Sequence, residues 1–184
     1  MSVTVPQPVA PMIPRTLFNS DHEAFRTTVR RFFETELAPH YEKWEEQQHI
    51  DRNIWNKAGE LGLLCPTMPE QYGGAGVDRL YSMILMEEQA RVGDSASGFS
   101  WHSDIVANYI NNFGTEEQKM EWLPKMCSGE VVGSIAMTEP GTGSDLQSIR
   151  TTAVADGDDY IVNGSKIFIT NGYLCDMSVV VVKT

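Results

Sequence analysis

Ala136-Met-Thr-Glu-Pro-Gly-Thr-Gly-Ser-Asp145 is followed further along the chain by Lys166-Ile-Phe-Ile-Thr-Asn-Gly172. An apolar run from Val131 to Met137 enters the first stretch and reads as a strand opening into a loop of small and hydroxylated residues. Gly141 and Gly143 carry no Cβ, so backbone N–H groups there can approach a polar or anionic ligand closely. Thr138 and Ser144 place hydroxyls on either side. In the second stretch Ile167, Phe168, Ile169 and Thr170 alternate ahead of an Asn-Gly turn. That pattern predicts a strand with the aromatic and the hydroxyl on one face.

Two nucleotide-binding readings do not fit. A phosphate-binding P-loop ends in Gly-Lys-Ser/Thr, whereas Gly143 is followed by Ser144 and Asp145. The dinucleotide fingerprint needs a third glycine or alanine, and Leu146 stands in its place. A plain loop, with Gly and Ser serving only turns, would account for Gly141–Ser144 alone. It does not account for Thr138-Glu-Pro140 before it together with Phe168-Ile-Thr-Asn-Gly172 after it.

Outward from this region the period changes at about Val131. Ahead of it the pattern is helical. Ser20 and Glu23 form an expected capping box for a helix carrying Phe25, Val29, Phe32, Phe33 and Leu37, which Pro39 should bend or divide. Asp51 is the expected cap of a second helix with Ile54, Trp55, Ala58 and Leu61, stopped by Gly62. A third helix is expected to bury Leu80, Met83, Ile84, Met86 and Ala90 and to turn Glu87-Glu88 outward. Ser95 to Phe113 reads as a less polar, central helix, and Thr115 with Gln118 caps a fifth that ends near Cys127-Ser-Gly129. After Val131, strands are expected at Val131–Thr138, Thr151–Ala155, Tyr160–Val162, Ile167–Thr170 and Met177–Val182. Asp156-Gly157 and Asn163-Gly164 read as hairpin turns, and no helix intervenes, so the expected β-part is antiparallel. The fold class is therefore α+β: a tail over 1–18, a helical domain over 19–130 and a β-domain over 131–184. The closing Ser178-Val-Val-Val-Val-Lys-Thr184 reads as an uncovered apolar edge, which invites aggregation. On that ground the chain is expected to be a fragment with about half of its β-domain.

The chain is acidic, with 14 basic against 25 acidic residues, which argues against a nucleic-acid groove or an anionic membrane surface. Its 184 residues suffice for one or two domains. Cys65, Cys127 and Cys175 are widely spaced and predict reduced thiols, and His22, His40, His49 and His102 have no metal-ligand spacing. No apolar run is long enough to span a bilayer. Met1 to Pro14 holds four prolines and neither an apolar core nor a basic amphipathic pattern, so no signal or transit peptide is expected and the location is expected to be cytoplasmic.

Together the two opening stretches resemble the flavin-contacting signature of the acyl-CoA dehydrogenases. The resemblance runs from about Arg15 to the end and includes Glu70-x-Tyr72-Gly73-Gly74, Glu87-Glu88-Gln89-Ala90, Gly114–Lys119 and Leu123–Gly129. Arg15–Ser20 and Gly98–Ser103 look nearest to long-chain members. The resemblance implies a helical domain, a middle antiparallel β-barrel-like domain and a C-terminal four-helix domain absent from this chain. It also implies FAD as cofactor, desaturation of an acyl-CoA thioester at Cα–Cβ, a homotetramer, and an electron-transfer flavoprotein as acceptor, with oxygen left open. Carried over by motif, Ile135, Met137, Thr138, Gly143, Ser144, Phe168, Ile169 and Thr170 would contact the flavin, and Ser144 would also touch the pantetheine. Phe168 stands where many members carry Trp, keeping the aromatic face without the indole donor. The family's catalytic glutamate lies in the C-terminal domain, so no catalytic residue is expected here, and Glu139 is read as structural. Gly98, within the small-residue segment Ser95–Gly98, would either line the floor of the acyl pocket or allow close packing. A non-catalytic acyl-CoA-binding module, or an oxidase-like or monooxygenase-like relative, is the alternative.

Overall fold

The computed structural model describes residues 15–184, so the expectation for residues 1–14 lies outside the described part. Residues 15–18, read from the sequence as tail, already touch the helical domain. Arg15 pairs with Glu87 at 2.5 Å, and Phe18 packs against the core.

Helix α1 (Ser20–Phe32) is capped by Asn19, one residue earlier than the expected Ser20. Its side chain accepts the N–H of Asp21 and of His22, and the ring of His22 accepts the N–H of Asn19 in return. Pro39 does divide the helix. A wide π turn (Phe33–Leu37) and a tight 3₁₀ turn (Ala38–His40) separate α1 from α2 (Tyr41–Gln47). The proline lacks the N–H an α-helix would use there. Asp51 does not cap α3 (Asn53–Glu60) with its side chain, because Lys43 at 2.6 Å and Gln47 at 3.1 Å hold its carboxylate. Gly62, at φ 67°, ends the helix as expected.

Helix α4 (Arg79–Arg91), capped by Asp78, turns a different face inward from the one the sequence suggests. Ile84 and Leu85 are buried, Met83 and Met86 are exposed, and Glu88 is buried. The reason is α1, which lies alongside and sets Arg26 and Arg30 against that carboxylate, with Arg91 as a third partner. A charge is tolerated inside when it is fully paired. The central helix begins at Phe99 and not at Ser95, since Gly98 has φ 60°. It runs through a π turn (Trp101–Val106) into α5 (Ala107–Phe113). Thr115 and Gln118 form the expected capping box of α6 (Glu116–Ser128), and Gly129 at φ 76° closes it.

The β-part departs from an all-antiparallel sheet. β2 (Thr152–Asp156) and β3 (Asp159–Asn163) do form an antiparallel hairpin. However, β1 (Gly133–Ala136) pairs in parallel with β4 (Met177–Val180), in register Gly133 to Met177 and Ala136 to Val180. The intervening chain returns to the end where β1 starts, so the two strands run the same way. Ile167–Thr170 is not a strand: Phe168 at φ 55° and Asn171 at φ 63° turn the backbone left-handed. The hairpin turn falls at Gly157-Asp158, and Asn163-Gly164 makes none. Among the described residues β4 has β1 as its one strand partner, so its other edge stays open as expected, and only Lys183 beyond the strand bonds elsewhere. Val181 N–H reaches Ala136 O at 3.0 Å, while Lys183 exchanges bonds with Thr151 at 2.9 Å and Ala153 at 2.8 Å.

Two apolar clusters form the core. One gathers Phe33, Leu37, Trp55 and Phe99, and the other gathers Met68, Val106, Leu123 and Met126. The segment entering β1 feeds both, with Val132 in the first and Val131 and Ile135 in the second. All three cysteines are free thiols.

Candidate functional site

The loop leaving β1 is anchored by one buried carboxylate. Glu139 accepts from Arg150 N at 2.6 Å, Thr151 N at 2.9 Å, Thr151 Oγ1 at 2.6 Å and Lys166 Nζ at 2.9 Å. The Thr151 hydroxyl first, then the Lys166 ammonium, hold its carboxyl down at about 2. Backbone bonds of 3.0 Å in both directions between Glu139 and Thr142 close a tight turn through Pro140 and Gly141. Beyond that turn Gly143 and Ser144 are exposed.

The second stretch lies beside the first. Lys166 Nζ also donates to Met137 O at 3.0 Å, and Ile167 N donates to Thr138 O at 3.0 Å. Met137 and Thr138 are thus brought against the segment that leads into Phe168, Ile169 and Thr170. Phe168 is 89% exposed, which is unusual for a phenylalanine, and its left-handed backbone presents the ring outward. Thr170 is exposed beside it, and Ile169 is half-buried. Ile135 stands apart from this set, since its side chain is buried in the second apolar cluster.

The amides here are free. Among the described residues the backbone N–H groups of Gly143, Ser144, Phe168, Ile169 and Thr170 meet no backbone acceptor. A row of unpaired donors next to an exposed aromatic ring suits a planar, conjugated ligand with carbonyl and ring-nitrogen acceptors. That description fits a flavin.

Gly98 is set by close packing. A Cβ on it would lie 2.3 Å from Oδ1 of Asn171, so no larger side chain fits at this point. Of the two readings open from the sequence, the geometry favours the packing one. Behind β1 lies His102, whose role the sequence reading missed. Its Nδ1 accepts from Gly133 N and its Nε2–H donates to Met126 O, both at 3.0 Å. Burial pushes its pKa down to about 4, so the ring is neutral. Only the tertiary contacts disclose it, because a lone histidine carries no spacing signal.

An apolar face runs along the outer side of the π turn and α5. Trp101, Ile105, Tyr109 and Phe113 recur at intervals of four and are all exposed, Phe113 at 79%. A groove of about 290 Å³ between Tyr109, Phe113, Trp122, Met177 and Val179 continues it. Among the described residues no cluster of His, Cys, Asp or Glu could hold a metal ion. No described helix is long and apolar enough to cross a membrane.

Residues 19–130 match the family described as acyl-CoA dehydrogenase, N-terminal domain, and residues 134–184 match acyl-CoA dehydrogenase, middle domain. The mitochondrial long-chain specific acyl-CoA dehydrogenase of Sus scrofa is 50% identical over 170 residues, covering 92% of this chain and 40% of that protein. Among solved structures, an acyl-CoA dehydrogenase from Geobacillus kaustophilus superposes with a TM-score of 0.89 at 52% identity, over 92% of this chain and 44% of that one. A glutaryl-CoA dehydrogenase from Mycobacterium smegmatis, solved in complex with FADH2, gives a TM-score of 0.81 at 34% identity, over 88% of this chain and 42% of that one. The chain thus spans about 40% of the length of the curated relatives it matches.

Proposed function

This chain belongs to the acyl-CoA dehydrogenase family, and from that premise we propose that it supplies the flavin-contacting part of an FAD-dependent enzyme that desaturates acyl-CoA thioesters. The observation that carries the reading is the exposed Phe168 ring beside the unpaired amides of Gly143, Ser144, Phe168, Ile169 and Thr170. Thr138 and Thr170 would hydrogen-bond the edge of the isoalloxazine, Phe168 would flank it, and Met137 would close its inner side, with Ile135 packed in the core behind. Ser144, exposed on the same loop, would reach both the flavin and the pantetheine of the substrate. When bound, FAD would take the β-hydrogen as hydride while a carboxylate removes the α-proton.

Glu139 is not that base. Four donors occupy its two oxygens, and its pKa near 2 makes it a poor proton acceptor. Its work is to hold the loop so that Gly143 and Ser144 keep their amides turned to the ligand. The apolar face of Trp101, Ile105 and Tyr109 supports an acyl chain as the apolar part of the substrate. An electron-transfer flavoprotein as acceptor, a homotetramer and a cytoplasmic location complete the reading and rest on the family resemblance alone.

The natural protein carrying these residues, reconstituted with FAD, tests the proposal. Acyl-CoA added without oxygen should bleach the blue flavin band, and Phe168→Ala should weaken FAD binding by about tenfold. A natural protein that takes up no FAD, or whose flavin no acyl-CoA bleaches, overturns it.

A further inference from the structure

The side-chain amide of Asn171 closes a hydrogen-bond circuit joining three separate parts of the chain. Its Nδ2 donates to Gly98 O at 3.3 Å and to Gly133 O at 3.2 Å. Gly98 O also accepts the N–H of His102 at 3.2 Å, and Gly133 N–H donates to His102 Nδ1 at 3.0 Å. The loop before the central helix, the buried histidine, the first strand and Asn171 are therefore linked in a ring. A primary amide has two N–H donors, and both are spent here.

The rest of the residue is equally committed. Its Oδ1 occupies the space that a Cβ on residue 98 would need, so the pair fits as glycine opposite asparagine. Its backbone, at φ 63°, is one asparagine tolerates better than most residues. Its carbonyl accepts from Leu174 N at 2.9 Å and Cys175 N at 2.8 Å, so the next turn is built on it. Packing adds a stack of Tyr173 on His49 at 4.9 Å and Leu174 against the core, but leaves the tip of the segment open. A cavity of about 170 Å³ lies behind it, lined by Gln48, His49, Ala96, Ile169 and Tyr173 among others, and Phe168 and Tyr173 are both largely exposed. Hydrogen bonds must then do the positioning that apolar contacts do elsewhere.

Resting on the flavoprotein reading above, we propose that Asn171 is a positioning residue: by gripping Gly98 and Gly133 it sets where Phe168 and Thr170 stand against the flavin. It also couples that segment to the loop over residues 93–98, so a shift on one side is felt on the other.

The test uses the natural protein that carries these residues, with and without FAD. Asn171→Gly keeps the left-handed backbone and removes the amide. Gly98→Ala pushes on the same amide from the opposite side. Each should raise the FAD dissociation constant by about tenfold and alter the shape of the bound flavin band. Amide exchange over residues 166–172 should quicken in both. The double variant should lose less than the two single losses combined, because both act on one contact. A lower melting temperature with unchanged FAD affinity and band shape in the folded protein would show a merely structural asparagine and overturn the proposal. Should the natural protein bind no FAD, the flavoprotein reading falls instead. Amide exchange in Asn171→Gly then still decides whether the grip exists, unchanged protection meaning that it does not.

Discussion

His102 and Glu139 are two buried polar groups in different charge states, one neutral and one anionic, and each is explained by its partners. His102 gives one N–H to a carbonyl and takes one from an amide, so it is satisfied only as the neutral ring. Glu139 meets donors alone and is satisfied only as the anion. Their effects on stability fall in different pH windows. An unperturbed histidine protonates near pH 6.5 and His102 only near 4. Between those values the unfolded chain binds the extra proton. The contribution of His102 is therefore whole above pH 6.5 and lost as pH falls toward 4, by roughly 3 kcal/mol. The contribution of Glu139 is whole above its unfolded value of 4.5 and lost toward about 2. His102→Gln, which keeps a donor and an acceptor without titrating, should flatten the melting temperature between pH 6.5 and 4 while leaving the loss at lower pH. An unchanged slope in that interval would assign it to other groups. Neither charge state was legible from the sequence, because both depend on partners far along the chain.

At the scale of elements, what reads from sequence is what is local. The capping box of Thr115 with Gln118 and the stops at Gly62 and Gly129 follow from neighbouring residues, and all three hold. The face that α4 buries does not follow, since the arginines of α1 decide it. Helix packing also sets a demand on Gly59. A Cβ there would lie 2.2 Å from Ser128 O, where α3 crosses α6. Gly59→Ala should force the two helices apart and cost about 1–3 kcal/mol of stability. Gly141→Ala, with nothing within 4 Å of the added carbon, should change stability by less than about 0.5 kcal/mol. Chemical denaturation of the two variants compares them directly, and equal losses would remove the packing argument.

For the molecule as a whole, β1 is the shared member. Residues entering and forming it lie in both apolar clusters, and Arg52 of the segment before α3 reaches Asp176 before β4 at 2.7 Å. Helical and β parts should consequently unfold in one transition, with the denaturation curves of amide protection in the helices and in β1–β4 coinciding. Ile135→Ala should lower both curves together by about 2–5 kcal/mol, whereas a shift of one curve alone would mean two independent units. The sequence by itself determined the α+β class, the change of period near Val131, the dividing proline, and the two stretches that meet at the candidate site. Hydrophobic period, caps and turn residues act over a few positions, so they can be read along the chain. Tertiary structure alone decided the parallel pairing of β1 with β4, the burial of Glu88, the neutral His102, the outward Phe168 and the grip of Asn171 on Gly98 and Gly133. Each of these is a choice among partners brought together only by folding, where desolvation makes a polar group take whichever partner lies within reach.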